Sequence, residues 1–85
     1  MQVKMFKTPT CGRCPNQIEI LEELDSKGVI EFDAEANVID ATENMDEANR
    51  YAVRSFPTTV LLEDAGDVVQ RFTGVTPAEK IEAKL

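Results

Sequence analysis

The chain has 85 residues, nine basic against sixteen acidic, no histidine and a net charge of −7. That length allows one domain with one modest core, burying roughly 60–65% of its unfolded surface, and a hydrophobic share of 42% argues against a disordered tail. The acidity disfavours nucleic acid and anionic membranes as partners, and no apolar run approaches the ~20 residues of a membrane span.

Gln2 to Lys7 alternates weakly and predicts a strand, with Val3, Met5 and Phe6 as its apolar members. Thr8-Pro9-Thr10 breaks it. Gly12 to about Lys27 predicts a helix, because Cys14, Ile18, Leu21 and Leu24 recur at helical spacing and Ile20 widens the stripe. Glu19, Glu22, Glu23 and Asp25 lie largely outside that stripe and predict a solvated face. Gly28 is a C-terminal stop. Val29 to Ile39 is expected to hold a second strand that buries Phe32, Val38 and Ile39. Asp40 to Asn44 is a polar connection. Met45 to about Val53 predicts a second helix with Ala48, Tyr51 and Ala52 inward; Asp46 and Glu47 suit its first turn and Arg50 its last.

Phe56-Pro57 interrupts the chain. Thr58 to Glu63 is a β-branched, apolar strand, Asp64 to Asp67 a turn, and Val68 to Thr73 the returning strand of a hairpin that Gly74 ends. Thr76-Pro77-Ala78-Glu79 reads as a helix start, with Thr76 as N-cap, Pro77 at the first helical position and Glu79 at the capping-box position. Ile81 and Leu85 share one face of that last helix. The order β-α-β-α-β-β-α joins a parallel βαβ unit to an antiparallel hairpin. It predicts a single α/β domain over residues 1–85, a four-stranded mixed sheet flanked by helices.

The only two cysteines, Cys11 and Cys14, lie two residues apart where the first helical pattern begins. A helix N-terminus carries unpaired N–H groups and partial positive charge, and both favour a thiolate. The thiolate is the species that attacks disulfides. The first ten residues lack the apolar core of a secretory signal, which predicts a cytoplasmic protein. That compartment keeps thiols reduced, so the pair is not expected to be a structural staple. A bridge over so small a loop would constrain the unfolded chain little. Without histidine a metal site would need carboxylates or a second chain, so no metal is expected. The remaining chemistry is redox exchange through the two sulfurs, in a chain taken as a monomer.

Three blocks in order carry a resemblance to the thioredoxin superfamily over nearly the whole length. Cys11-Gly12-Arg13-Cys14 is similar to Cys-Gly-Pro-Cys, with Arg13 in place of proline. Tyr51-Ala52-Val53-Arg54-Ser55-Phe56-Pro57-Thr58 resembles the family's segment that ends in proline and threonine. Phe72-Thr73-Gly74 before Thr76-Pro77 is similar to its glycine loop. The chain lacks the first strand and helix of ordinary thioredoxins, and in that resembles minimal thioredoxins and glutaredoxin-like proteins.

The resemblance implies a thioredoxin fold and a thiol–disulfide oxidoreductase that reduces protein disulfides. It implies Cys11 as nucleophile and Cys14 as resolving thiol. Gly12 allows close approach of substrate, and Arg13 lowers the neighbouring thiol pKa and makes the pair less reducing. Pro57 is then the cis-proline facing the motif, and Phe56, Pro57, Thr73 and Gly74 form a substrate groove. No bound cofactor is implied, only the redox-active Cys11–Cys14 disulfide. The implied partners are disulfide-containing proteins and, as electron donor, a reductase or a low-molecular-weight thiol.

The chain also departs from the family. Thr10 stands where thioredoxins place tryptophan, and Met5 where they place a buried aspartate. Gly74-Val75-Thr76 replaces the glutaredoxin glutathione patch, and Lys7, four residues before Cys11, is a candidate cation for a glutathione carboxylate. A glutathione-coupled enzyme, a redox-independent binding module and a Cys-x-x-Cys metal or copper carrier are the alternatives.

Overall fold

Strand β1 (Gln2–Lys7) sits inside a four-stranded sheet of order β2-β1-β3-β4, in a computed structural model that describes residues 2–85. Strand β2 (Val38–Asp40) pairs parallel to β1, while β3 (Thr58–Leu62) pairs antiparallel to both β1 and β4 (Val68–Thr73). Helices α1 (Cys14–Ser26), α2 (Met45–Arg50) and α3 (Ala78–Glu82) fill the connections and the C-terminus. The mixed α/β sheet expected from the element order is the one observed.

Side-chain alternation along β1 and β3 builds two cores. Val3, Met5 and Leu61 point to one face and pack with Cys14, Leu21, Leu24 and Ile81 of α1 and α3. Phe6, Val60 and Leu62 point to the other and pack with Ala48 and Val53 around α2. All five residues of β3 are buried, because a central strand with helices on both faces has no solvent side.

Three expectations need correction. The second strand is far shorter than Val29 to Ile39. Among the described residues only the single bridge Gln2–Glu31 forms before Val38, because residues 33–37 turn on their own polar groups. The Asp33 carboxylate accepts the Glu35 N–H at 2.9 Å, the Asp33 N–H donates to Asn37 Oδ1 at 2.9 Å, and the Asn37 N–H donates to the Asp33 carbonyl at 2.8 Å. Such local bonds compete with a sheet ladder. Phe32 is buried in this irregular stretch, whereas Val38 and Ile39 are half-buried.

The second helix ends at Arg50, and Ala52 is exposed with φ 56° rather than turned inward. The third helix starts at Ala78 with Pro77 as its N-cap. Thr76 does not cap it. Its hydroxyl donates to the Gly74 carbonyl at 3.2 Å and the residue is buried in the preceding loop. Among the described residues no helix is long and apolar enough to cross a membrane.

Candidate functional site

After β1 the chain turns at Thr8, where the Cys11 N–H donates to the Thr8 carbonyl at 3.1 Å. Arg13 is the N-cap of α1, with no side-chain cap, and Pro15 occupies the first turn. Proline suits that place because its missing N–H would have had no partner there. The helix thus begins at Cys14, later than the Gly12 start expected, and only the second cysteine lies within it.

Cys11 and Cys14 form a disulfide with their Cα atoms 5.5 Å apart. Cys14 is 2% exposed and belongs to the core beneath α1, whereas Cys11 is half-buried. Gly12 and Arg13 are exposed.

A second segment meets this turn. The Phe56–Pro57 peptide bond is cis, Phe56 is half-buried and Pro57 is buried. Phe56 shares an open depression with Thr8, Cys11, Gly12 and Arg13. The Thr58 hydroxyl donates to the Ser55 carbonyl at 2.7 Å and closes the proline turn.

The glycine loop is the third segment. Thr73, exposed, pairs with Thr58 across the β3–β4 ladder, and the Gly74 N–H donates to the Pro57 carbonyl at 2.8 Å. Gly74 has φ 80°, a left-handed conformation that glycine adopts without a Cβ penalty. Every residue expected at the site therefore lies on one of three segments that the fold brings together. Among the described residues no cluster of three or more His, Cys, Asp or Glu side chains is placed to hold a metal ion.

The thioredoxin-like domain profile matches residues 2–85. The chain belongs to the thioredoxin-like family. It is similar to thioredoxin of Bacillus subtilis strain 168, 37% identical over 79 residues that cover 91% of this chain and 71% of that protein. It is also similar to the SPbeta prophage-derived thioredoxin-like protein YosR of the same strain, 30% identical, covering 93% of this chain and 89% of that one. Among solved structures, thioredoxin of Fasciola hepatica superposes with a TM-score of 0.78 at 30% identity, covering 98% of this chain and 76% of that one. Thioredoxin 1 of Thermosipho africanus TCF52B, at 20% identity and a TM-score of 0.78, covers 99% of this chain and 89% of that one and matches in fold. With its paired cysteines, this thioredoxin-like protein is a thiol–disulfide oxidoreductase.

Two positions where the chain departs from ordinary thioredoxins gain a structural setting. Met5 is fully buried beside Val3 and Leu61 in the core that also holds Cys14. Lys7 lies opposite Asp40 in the parallel β1–β2 ladder. The Asp40 carboxylate is held below the ordinary aspartate range, chiefly by the Thr42 hydroxyl, which donates to Oδ1, with the Lys7 charge helping.

Gln17 escaped sequence reading. Its side chain is 0% exposed on the same face of α1 as Cys14, Leu21 and Leu24. The spacing 14, 17, 21, 24 is the available signal, but apolar periodicity selects Ile18, which is half-buried, in place of the polar residue in the stripe.

Proposed function

We propose that this protein reduces protein disulfides by dithiol–disulfide exchange through Cys11 and Cys14. The asymmetry of the pair carries the reading: Cys11 opens onto the depression beside Phe56, while Cys14 is buried behind it. In the reduced protein the Cys11 thiolate attacks one sulfur of a substrate disulfide. A mixed disulfide forms, the substrate S–S bond breaks, and the departing sulfur takes up a proton. Cys14 then loses its proton and attacks the Cys11 sulfur. The substrate leaves as a dithiol, having gained two electrons and two protons, and the Cys11–Cys14 disulfide is restored. A reductase or a low-molecular-weight thiol returns the pair to the dithiol, and no bound cofactor takes part.

Burial of Cys14 protects the mixed disulfide from release until the substrate is seated, and proximity then favours the internal attack. Arg13, exposed beside Cys11, adds to the positive potential of the helix start and favours its thiolate. Phe56, Pro57, Thr73 and Gly74 form the groove for an extended substrate segment. The cytoplasm, where reductants are replenished, is the compartment that suits this direction.

Equilibration of the Cys11–Cys14 couple in defined thiol buffers tests the reading. A potential near the thioredoxin value of about −270 mV supports a reductant of protein disulfides fed by a dedicated reductase. A value near −200 mV favours coupling to glutathione instead. Absence of a reversible couple would leave only a binding role for the groove.

A further inference from the structure

We infer that Gln17 is a positioning residue that sets the substrate groove, tying the glycine loop to the helix that bears Cys14. This rests on the proposal that Phe56, Pro57, Thr73 and Gly74 hold the substrate.

The Gln17 amide meets both backbone groups of Thr76, fifty-nine residues away. Oε1 accepts the Thr76 N–H at 2.6 Å and Nε2 donates to the Thr76 carbonyl at 3.2 Å. Only this orientation of the amide satisfies a donor and an acceptor together. Gln17 is 0% and Thr76 5% exposed, so water does not substitute for either bond.

The loop so held is the one at the site. Gly74, two residues before Thr76, donates its N–H to the Pro57 carbonyl at 2.8 Å, and the Thr76 hydroxyl closes on the Gly74 carbonyl at 3.2 Å. Gly74 to Thr76 is therefore pinned at one end to the proline turn and at the other to α1, one helical turn beyond Cys14. Between the pins Val75 is held out at 38% exposure. The tie between this loop and α1 thus rests on the Gln17 side chain, while the bond to Pro57 ties the loop to the proline turn. An apolar residue at 17 would fill the core equally well and leave the loop without its second pin.

A protein disulfide must lie along the loop, whereas a small disulfide needs only to reach Cys11. The two substrates therefore separate groove from chemistry. Gln17→Met keeps the volume and removes the bonds. Its KM for insulin disulfides is expected to rise about tenfold, while its rate with hydroxyethyl disulfide and its Cys11–Cys14 potential stay at wild-type values.

Gln17→Glu gives a second reading that volume cannot mimic. Protonated, the carboxyl offers one donor and one acceptor as the amide does; ionised, it turns a lone pair on the Thr76 carbonyl. Its insulin KM, as a ratio to wild type at the same pH, is expected to be near unity at low pH and to climb as the carboxyl ionises. This arm decides alone if Gln17→Met does not fold. An unchanged insulin KM in Gln17→Met, equal losses with both substrates, or a pH-independent ratio in Gln17→Glu overturns the inference. Phe56→Ala, run alongside, locates the failure. If it raises the insulin KM and the Gln17 variants do not, the inference alone is wrong; if it too is silent, the groove reading has failed with it.

Discussion

The two sulfurs differ in surroundings although they are chemically alike. Cys11 ends a turn whose N–H is bonded to Thr8 and opens onto a depression, while Cys14 is covered by the core. That difference predicts different outcomes for the two serine variants. Cys14→Ser is expected to trap a stable mixed disulfide with a protein substrate, visible as an added mass on non-reducing analysis. Cys11→Ser is expected to trap none and to lose reductase activity, by at least about a thousandfold as for a lost nucleophile. Equal trapping by both variants would contradict the assigned order of attack. The motif and its spacing were legible from the sequence alone. The deeper placing of Cys14 follows from its position in the apolar stripe of α1 and from the family resemblance, and the structure agrees, with Cys14 buried and Cys11 half-buried; what covers Cys14 is decided only by the packing of α1.

At the scale of elements, both longer connections out of helices use the same stop. After α1 the Val29 N–H donates to the Leu24 carbonyl at 3.0 Å and the Gly28 N–H to the Asp25 carbonyl at 2.9 Å. After α2 the Val53 N–H donates to the Ala48 carbonyl at 2.9 Å and the Ala52 N–H to the Asn49 carbonyl at 3.1 Å. Each is a Schellman motif with its left-handed residue just past the cap, Gly28 at φ 74° and Ala52 at φ 56°. Glycine marks the first stop in the sequence, whereas Ala52, a strong helix former, hides the second and extends the helical pattern past the end of α2. An L-residue in this region costs about 1–2 kcal/mol, so Ala52→Gly is expected to stabilise the fold by about 0.5–1 kcal/mol after glycine's entropy cost. Gly28→Ala is expected to destabilise by a similar ~1 kcal/mol, through backbone strain alone, since an added Cβ there meets nothing within 4 Å. Urea midpoints of the two variants against wild type check both signs.

Over the whole molecule, the α2 face of the sheet is tied by a polar contact between distant segments. Lys4 Nζ of β1 lies 3.0 Å from Glu47 Oε2 and 3.4 Å from the Tyr51 hydroxyl, and the Tyr51 ring packs tilted at 51° against Phe6 with ring centroids 5.8 Å apart. Partial burial opposes the ammonium charge, but the hydrogen bonds to Glu47 and Tyr51 outweigh it and raise the Lys4 pKa above the ordinary lysine value. A folded pKa above the unfolded value means the pair's stabilisation is complete below about pH 10.4, and is lost as pH rises through the higher folded pKa. Both partners are partly solvated, so Lys4→Met is expected to cost only about 0.5–1 kcal/mol at neutral pH. The gap between wild type and variant should close at strongly alkaline pH in urea titrations. A gap that persists there would assign the loss to packing of the lysine stem.

What the sequence determined by itself was local or periodic: the strands and helices from their apolar spacing, the order that demands a mixed sheet, and the paired cysteines at a helix start. It did not determine the true length of β2, because Asp33 and Asn37 bond to nearby backbone in ways that compete with the ladder. Nor did it show the roles of Gln17 and Thr76, whose hydrogen bonds join residues fifty-nine apart. Those facts belong to the tertiary structure, since burial turns a polar side chain from a solvated group into one that must find a partner. Which partner it finds is decided only when the elements pack.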